Sequence, residues 1–225
     1  SALALAALVR DGSPPGRGPY AGAVANGTRY LLRIQRRHGG RFHEDRVAGE
    51  WIYGHAIATW VLAELLPSDP SPALARSVRA GCAVLLSARN PYGAWRYAVP
   101  FGGEQDSSVT AWALRALVAA RAAGVPVPTS ACDGALGLVN ELTDPATGLV
   151  GYTSMGSPSA RAPGLNDHFP NEIGEALTAC GALVRFWCGD SADPGSMLDR
   201  HLDLMASRLP GGSPDSYDID LYYWY

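Results

Sequence analysis

The sequence GAWRYAVPFGGEQDSSVTAWALRAL, residues 93–117, contains the features that are most informative about the fold of this chain. A glycine turn at Gly93 leads to Trp95, a loop follows, and the polar residues 106–108 then precede an apolar run. A short polar side chain before an apolar run is typical of a helix N-cap, because its oxygen accepts a hydrogen bond from one of the first unpaired N–H groups. The stretch therefore predicts a turn, a loop and a buried helix that Asp106 caps.

The same order of features recurs along the chain at an interval of roughly 50–60 residues, which indicates an internal repeat. Helices with a single apolar face are predicted at about 21–38, 72–85, 129–142 and 194–209. Helices that are apolar on most sides are predicted at 51–66, 109–123 and 170–188, and no stretch alternates as a strand does. Because every second helix lacks a polar face, the pattern favours a closed ring of outer and inner helices over an open solenoid. The predicted fold class is all-α, an α/α toroid.

The two ends of the sequence bear on domain organisation. Residues 1–9 read as the tail of a helix, and residues 221–225 read as the beginning of another. We therefore expect residues 1–225 to form a single domain of about four helix pairs, cut at both ends from a larger ring. The compartment stays open, because any signal peptide or anchor would lie outside these residues.

Composition excludes several classes of function. The 225 residues carry a net charge of −3 with scattered arginines, which argues against a nucleic-acid surface, since such a surface needs clustered positive charge. No apolar run reaches the roughly 18–20 residues that span a bilayer. The four cysteines form no CxxC pair, so zinc-knuckle spacing is absent. We expect Cys82 and Cys180 to be buried free thiols.

The turns between helices share a motif in which an outer helix ends at Gln and is followed by Gly and an aromatic residue. The first copy is Gln35, Gly39-Gly40 and Phe42; in the second, Gly93 and Trp95 follow Arg89, which stands where the Gln would be; Gly148 and Tyr152 form a degenerate third copy. This motif resembles the squalene cyclase/prenyltransferase repeat of the terpenoid cyclase and protein prenyltransferase superfamily, and in particular bacterial proteins that carry such repeats. The resemblance covers nearly the whole chain. It implies an α/α toroid whose inner-helix N-termini converge on a central cavity.

The resemblance also implies a candidate acid. Family members that protonate an alkene or epoxide use an Asp-x-Asp-Asp motif, whose middle Asp is the acid. In this chain the stretch is Glu104-Gln-Asp-Ser107, with Asp106 at the acid position but with Glu and Ser at the two outer ones. A carboxyl group that protonates carbon must be kept neutral in a dry site. Asp106 is therefore either a candidate acid or simply an N-cap, and Asp218, in Asp218-Ile-Asp220, is a weaker candidate.

Further candidate ligand-binding residues lie at the starts of apolar helices. Prenyltransferases of this family hold zinc with Asp, Cys and His. Although His55, Asp167 and His168 lie at such positions, no Cys accompanies them, so we expect neither a metal nor a cofactor. His55 is either a ligand-binding residue or a satisfied, half-buried histidine. Trp95 and Trp112 either line a cavity, where aromatic rings attract cations, or belong to the core.

Two functions follow from these observations. The first is a non-catalytic module that binds an apolar small molecule or a protein partner, since the acid and zinc motifs are incomplete. The alternative is an isoprenoid-transforming enzyme with Asp106 as its general acid. The residues expected to contact the ligand are His55, Trp95, Trp112, Asp167, His168 and Asp218.

Overall fold

The computed structural model describes residues 2–13, 15–43, 51–97, 105–161, 164, 167 and 176–207. In these residues the secondary structure is helical, and one isolated bridge joins Thr143 to Val150. The helices are α1 (Ala2–Arg10), α2 (Ala21–Arg37), α3 (Trp51–Leu65), α4 (Pro72–Ser87), α5 (Ser107–Ala122), α6 (Ser130–Leu142), α7 (Ala176–Cys188) and α8 (Met197–Ser207). The all-α prediction is confirmed. Among the helices described, none is long and apolar enough to cross a membrane. The predictions for residues 1, 170–175 and 208–225 lie outside the described residues.

The helices alternate between two layers. Helices α1, α3, α5 and α7 each pack on the next member of the series, and we call them the odd layer. Helices α2, α4, α6 and α8 form the even layer: α2 packs on α1, α4 on α3 and α5, α6 on α5 and α7, and α8 on α7. Neighbours in sequence thus lie in different layers, and neighbours within the odd layer are one repeat apart.

In α3 and α5, the two central helices of the odd layer, burial agrees with the prediction that these helices are apolar on most sides. Ten of the 15 residues of α3 and ten of the 16 residues of α5 are buried, as expected of helices that lack a polar stripe. In the even layer only five of the 17 residues of α2 are buried. Helix α7 differs from the prediction that it is apolar and covered on most sides, because Leu183 and Phe186 are 40% and 66% exposed.

Polar side chains cap the starts of α4 and α5, and the cap at Asp106 confirms the prediction from the sequence. The Ser71 Oγ accepts a hydrogen bond from the backbone N–H of Leu74 at 3.3 Å, and Pro72 is the first residue of α4. Asp106 caps α5 through its side chain. Thr129, in contrast, makes no capping hydrogen bond, and α6 begins one residue later.

The glycine turns repeat the same contact three times. Gly40, Gly93 and Gly148 follow α2, α4 and α6, and all three have positive φ (98°, 88° and 82°), a conformation that glycine adopts without steric cost. Each lies against the next even-layer helix: Gly40 against Ala80 of α4, Gly93 against Gly134 of α6, and Gly148 against Arg200 of α8. The turn glycines therefore set the spacing between consecutive even-layer helices.

The residue after each turn is tied to the odd layer in an equivalent way. The backbone N–H of Phe42 donates to His55 Nδ1 at 3.3 Å. That of Trp95 donates to Thr110 Oγ1 at 3.2 Å, and that of Val150 donates to Thr178 Oγ1 at 3.3 Å. A histidine and two threonines thus serve as the same kind of acceptor on α3, α5 and α7.

Candidate functional site

The odd layer encloses a cleft of about 200 Å³. All four of its helices contribute to the lining, which is mostly apolar. The lining residues are Leu3 of α1, Tyr53 of α3, Ser108, Ala111, Trp112 and Arg115 of α5, and Ala176, Ala179, Cys180, Leu183 and Trp187 of α7. We call this the odd-layer cleft. A concave apolar site with a few polar groups is the usual form of a small-molecule site.

Hydroxyl groups lie at one end of the odd-layer cleft, where α3 and α5 begin. The Tyr53 hydroxyl lies 2.6 Å from Ser108 Oγ, and the Tyr97 and Tyr152 hydroxyls lie 2.8 Å apart. A distance of 3.5 Å between the Tyr53 and Tyr97 oxygens joins the two pairs. We call these four residues the hydroxyl cluster. Two members of the hydroxyl cluster, Tyr53 and Ser108, line the odd-layer cleft.

Asp106 lies behind this cluster and is fully buried. Its Oδ1 accepts hydrogen bonds from the backbone N–H groups of Ser108 and Val109, at 2.8 and 3.0 Å, and from Ser108 Oγ at 2.7 Å. Its Oδ2 is buried and has no hydrogen-bond partner among the described residues. Burial, together with the neighbouring Asp106 and Tyr97, raises the pKa of Tyr152 well above its usual value. The Tyr152 hydroxyl is therefore neutral and able to donate a proton in a hydrogen bond.

A cation lies further along the odd-layer cleft. Arg115 is seven residues after Ser108 on α5, which is about 10 Å along the helix axis. Its guanidinium carbon lies 3.7 Å from the centroid of the Trp60 ring and 5.2 Å from that of Trp112, a cation–π arrangement. It has no hydrogen-bond acceptor or ion pair among the described residues. Burial and the nearby Arg10 lower the pKa of Arg115, against the opposing effect of Glu64.

Of the sequence-predicted ligand residues that the structure describes, one lines the cleft. Trp112 does so. Trp95 is buried elsewhere, with its indole Nε1 donating to the Leu85 carbonyl at 2.8 Å. Asp167 is exposed, and His168 and Asp218 lie outside the described residues.

His55 is fully buried and both of its ring nitrogens have partners. Nδ1 accepts from the Phe42 N–H, which makes Nε2 the donor to the Gly81 carbonyl at 3.0 Å. Burial lowers the pKa of His55 to about 4, with smaller contributions from His43 and Arg41. The histidine is thus neutral at pH 7 and occupied within the fold, and it is not among the residues that line the cleft.

The sequence did not single out Tyr53, Ser108 or Arg115 as site residues. The repeat held a usable signal for two of them, because Tyr53 and Ser108 are 55 residues apart, the same interval that separates Tyr97 from Tyr152. Equivalent positions of consecutive repeats lie side by side in such a fold. For Arg115 the signal in the sequence was that an arginine lies within a helix that is otherwise apolar on most sides.

Two groups that commonly carry chemistry, a metal centre and a reactive thiol, can be checked in the described part of the cleft. Within the described residues no group of three His, Cys, Asp or Glu side chains could hold a metal ion. The cysteine in the lining, Cys180, is a free thiol whose pKa is raised to about 12 by burial and, to a smaller extent, by Asp106. It is therefore protonated and a poor nucleophile at neutral pH.

Comparisons with models of protein families, with curated proteins and with solved structures find no match to this chain.

Proposed function

We propose that this chain is part of an α/α toroid of the terpenoid cyclase and prenyltransferase type, and that its odd-layer cleft binds an apolar ligand without transforming it. The alternation of odd and even layers supports the ring arrangement, because it places the most buried helices next to one another. The apolar cleft between four odd-layer helices is the observation that carries the binding function.

The geometry defines how a ligand would bind. Its apolar body would lie against the small side chains Ala111 and Ala179 and against the Trp112 ring. A hydroxyl group would find partners at the Tyr53 and Ser108 end, since polar groups in such sites fix orientation rather than supply most of the affinity. A linear isoprenoid alcohol combines these two features.

Filling the cleft tests this proposal. The probe is farnesol, whose binding is followed by the fluorescence of the cleft tryptophans. The change Ala179→Leu adds three carbons to the lining of the cleft and should weaken farnesol binding by about tenfold or more, because roughly 1.4 kcal/mol corresponds to a factor of ten. The control is Ala83→Leu, the same change on the exposed side of α4, which should leave binding within about twofold. Equal affinity of Ala179→Leu and the unchanged protein would contradict the proposal, as would no saturable binding at all.

One observation favours the alternative, an isoprenoid-transforming enzyme with Asp106 as general acid. Because Oδ1 accepts all three hydrogen bonds, the buried Oδ2 is the oxygen that would carry the proton. Ser108 connects this carboxyl group to the cleft. A proton donor to carbon requires a carboxyl group in a dry site, and Asp106 is fully buried.

The two functions are separated by product analysis. The protein is incubated with squalene and with prenyl diphosphates, and products are sought by mass spectrometry. Asp106→Asn removes the acid but keeps an oxygen that can cap α5. A product formed by the unchanged protein and absent with Asp106→Asn would establish the enzyme. Farnesol binding without any product from either form would support the binding module.

A further inference from the structure

A second concavity lies in the even layer, away from the odd-layer cleft. It is a groove of about 830 Å³ between α2 and α4. Four arginines line it: Arg29, Arg33 and Arg36 of α2 and Arg76 of α4, all exposed. Tyr30, which is 44% exposed, adds an aromatic wall. We call it the arginine groove.

The charge of the two helices is strongly one-sided. Together α2 and α4 carry six arginines and no Asp or Glu, whereas in the whole chain 21 acidic residues outnumber 18 basic ones. The four arginines of the groove form no ion pair with a carboxylate of the described residues. Arg29 donates to the side chain of Asn26, and the Arg33 guanidinium lies 5.8 Å from the Tyr30 ring centroid. Because the described residues supply no counter-charge to these four arginines, the groove is suited to attract an anion from outside.

Two hydrogen bonds between Gln35 and Ser77 fix the floor of the arginine groove. Gln35 Nε2 donates to the Ser77 carbonyl at 2.9 Å, and Ser77 Oγ donates to Gln35 Oε1. Both residues are buried, so these bonds hold α2 against α4 whether or not the groove is occupied. A preformed groove loses little conformational freedom on binding, which favours affinity.

We propose that the arginine groove binds a carboxylate-rich segment of a partner protein. Arg29, Arg33 and Arg36 follow one another at helical spacing and span about 10 Å along one face of α2. Carboxylates at the same spacing on a partner helix would face all three, with Arg76 closing the other side. A channel between two helices accepts a rod, whereas a bilayer surface is too flat to enter it. Arginine and tyrosine are also the residue types most enriched at protein interfaces.

Paired charge removals test the proposal. The probe is a fluorescein-labelled alanine-based peptide with glutamates at positions i, i+4 and i+7, the spacing of Arg29, Arg33 and Arg36. Binding is measured by anisotropy at about 0.15 M ionic strength, where distant charges are screened. The variant Arg33→Gln/Arg76→Gln should weaken binding by about tenfold or more. The matched variant Arg37→Gln/Arg79→Gln removes two arginines from the same helices but outside the groove, and it should change binding by less than about twofold.

Three outcomes would overturn the proposal. Equal loss in both variants would show that only net charge matters. If the glutamate peptide does not bind, or if a peptide with glutamine at the same positions binds equally well, the groove does not recognise carboxylates. Phosphatidylserine vesicles or single-stranded DNA that displace the peptide, and that bind more tightly than it does, would assign the groove to another class of partner. Ala179→Leu should not alter peptide binding, which separates this site from the odd-layer cleft.

Discussion

At the scale of single residues, the two carboxyl oxygens of Asp106 have different surroundings. Oδ1 accepts two backbone N–H groups and the Ser108 hydroxyl, while Oδ2 is buried beside the hydroxyl cluster without a partner in the described residues. Charged acceptors of backbone N–H groups at a helix start are among the stronger hydrogen bonds in proteins. The cap alone therefore explains why a carboxyl group is tolerated in the interior.

Two substitutions of Asp106 distinguish its role as a helix cap from a role that depends on its carboxyl group. Asp106→Ala should lower the free energy of unfolding by about 1–2 kcal/mol, because it leaves the first N–H groups of α5 without an acceptor. Asp106→Asn keeps an oxygen at the Oδ1 position and should remain within about 0.5 kcal/mol of the unchanged protein, since Asn caps as well as Asp. Urea unfolding followed by circular dichroism measures both. Equal losses in the two variants would mean that the charge, and not the cap, stabilises this site.

At the scale of elements, two glycines hold a turn against a helix. A Cβ atom added at Gly134 of α6 would lie 2.5 Å from the Gly93 carbonyl oxygen, and the obstacle is backbone that cannot rotate away. The turn at Gly93 and helix α6 therefore approach as closely as they do only because both residues lack a side chain.

Alanine at this position gives the second stability prediction. Gly134→Ala should destabilise the fold by about 1–3 kcal/mol, since the backbone must shift to relieve the overlap. Gly137→Ala, on the same helix, meets no atom within 4 Å and should stabilise it by up to about 1 kcal/mol through helix propensity. Thermal unfolding of the two variants compares them directly. A gain in stability for Gly134→Ala would show that the Gly93 turn can move aside.

The elements themselves were largely readable from the sequence. Apolar periodicity located α2, α3, α4, α5 and α6 to within a few residues, because each helix buries a face whose spacing is fixed by its own geometry. The packing of Gly93 on Gly134 was not readable. It joins two repeats, and the helical periodicity within one repeat does not tell which residue of the next repeat a turn contacts.

At the scale of the whole molecule, the candidate site depends on which helices become neighbours. The odd-layer cleft takes side chains from four helices that are far apart in sequence. Periodicity identifies a buried helix but does not tell which of its residues face a cavity, so Trp95 and Trp112 could not be distinguished. The position of a residue within the repeat says more about its role than periodicity does. His55 occupies the position that Thr110 and Thr178 take in the later copies, and all three accept a hydrogen bond from the preceding turn.

Two buried histidines make the stability of the molecule depend on pH. His55 joins a turn to α3, and His201 of α8 accepts a hydrogen bond from the Arg185 Nε at 3.1 Å. Both are fully buried. Burial lowers the pKa of each from 6.5 to about 4, and for His201 the Arg185 charge acts in the same direction.

The sign of the effect follows from proton uptake. Between pH 6.5 and 4 the unfolded chain binds protons at these histidines and the folded chain does not. The free energy of unfolding therefore falls as the pH falls, by about 3 kcal/mol per histidine at most. Urea unfolding across this range measures the slope. His55→Gln should be less stable than the unchanged protein at pH 7.5 but should lose less between pH 6.5 and 4. A pH profile of His55→Gln that runs parallel to that of the unchanged protein would show that His55 does not contribute to the slope.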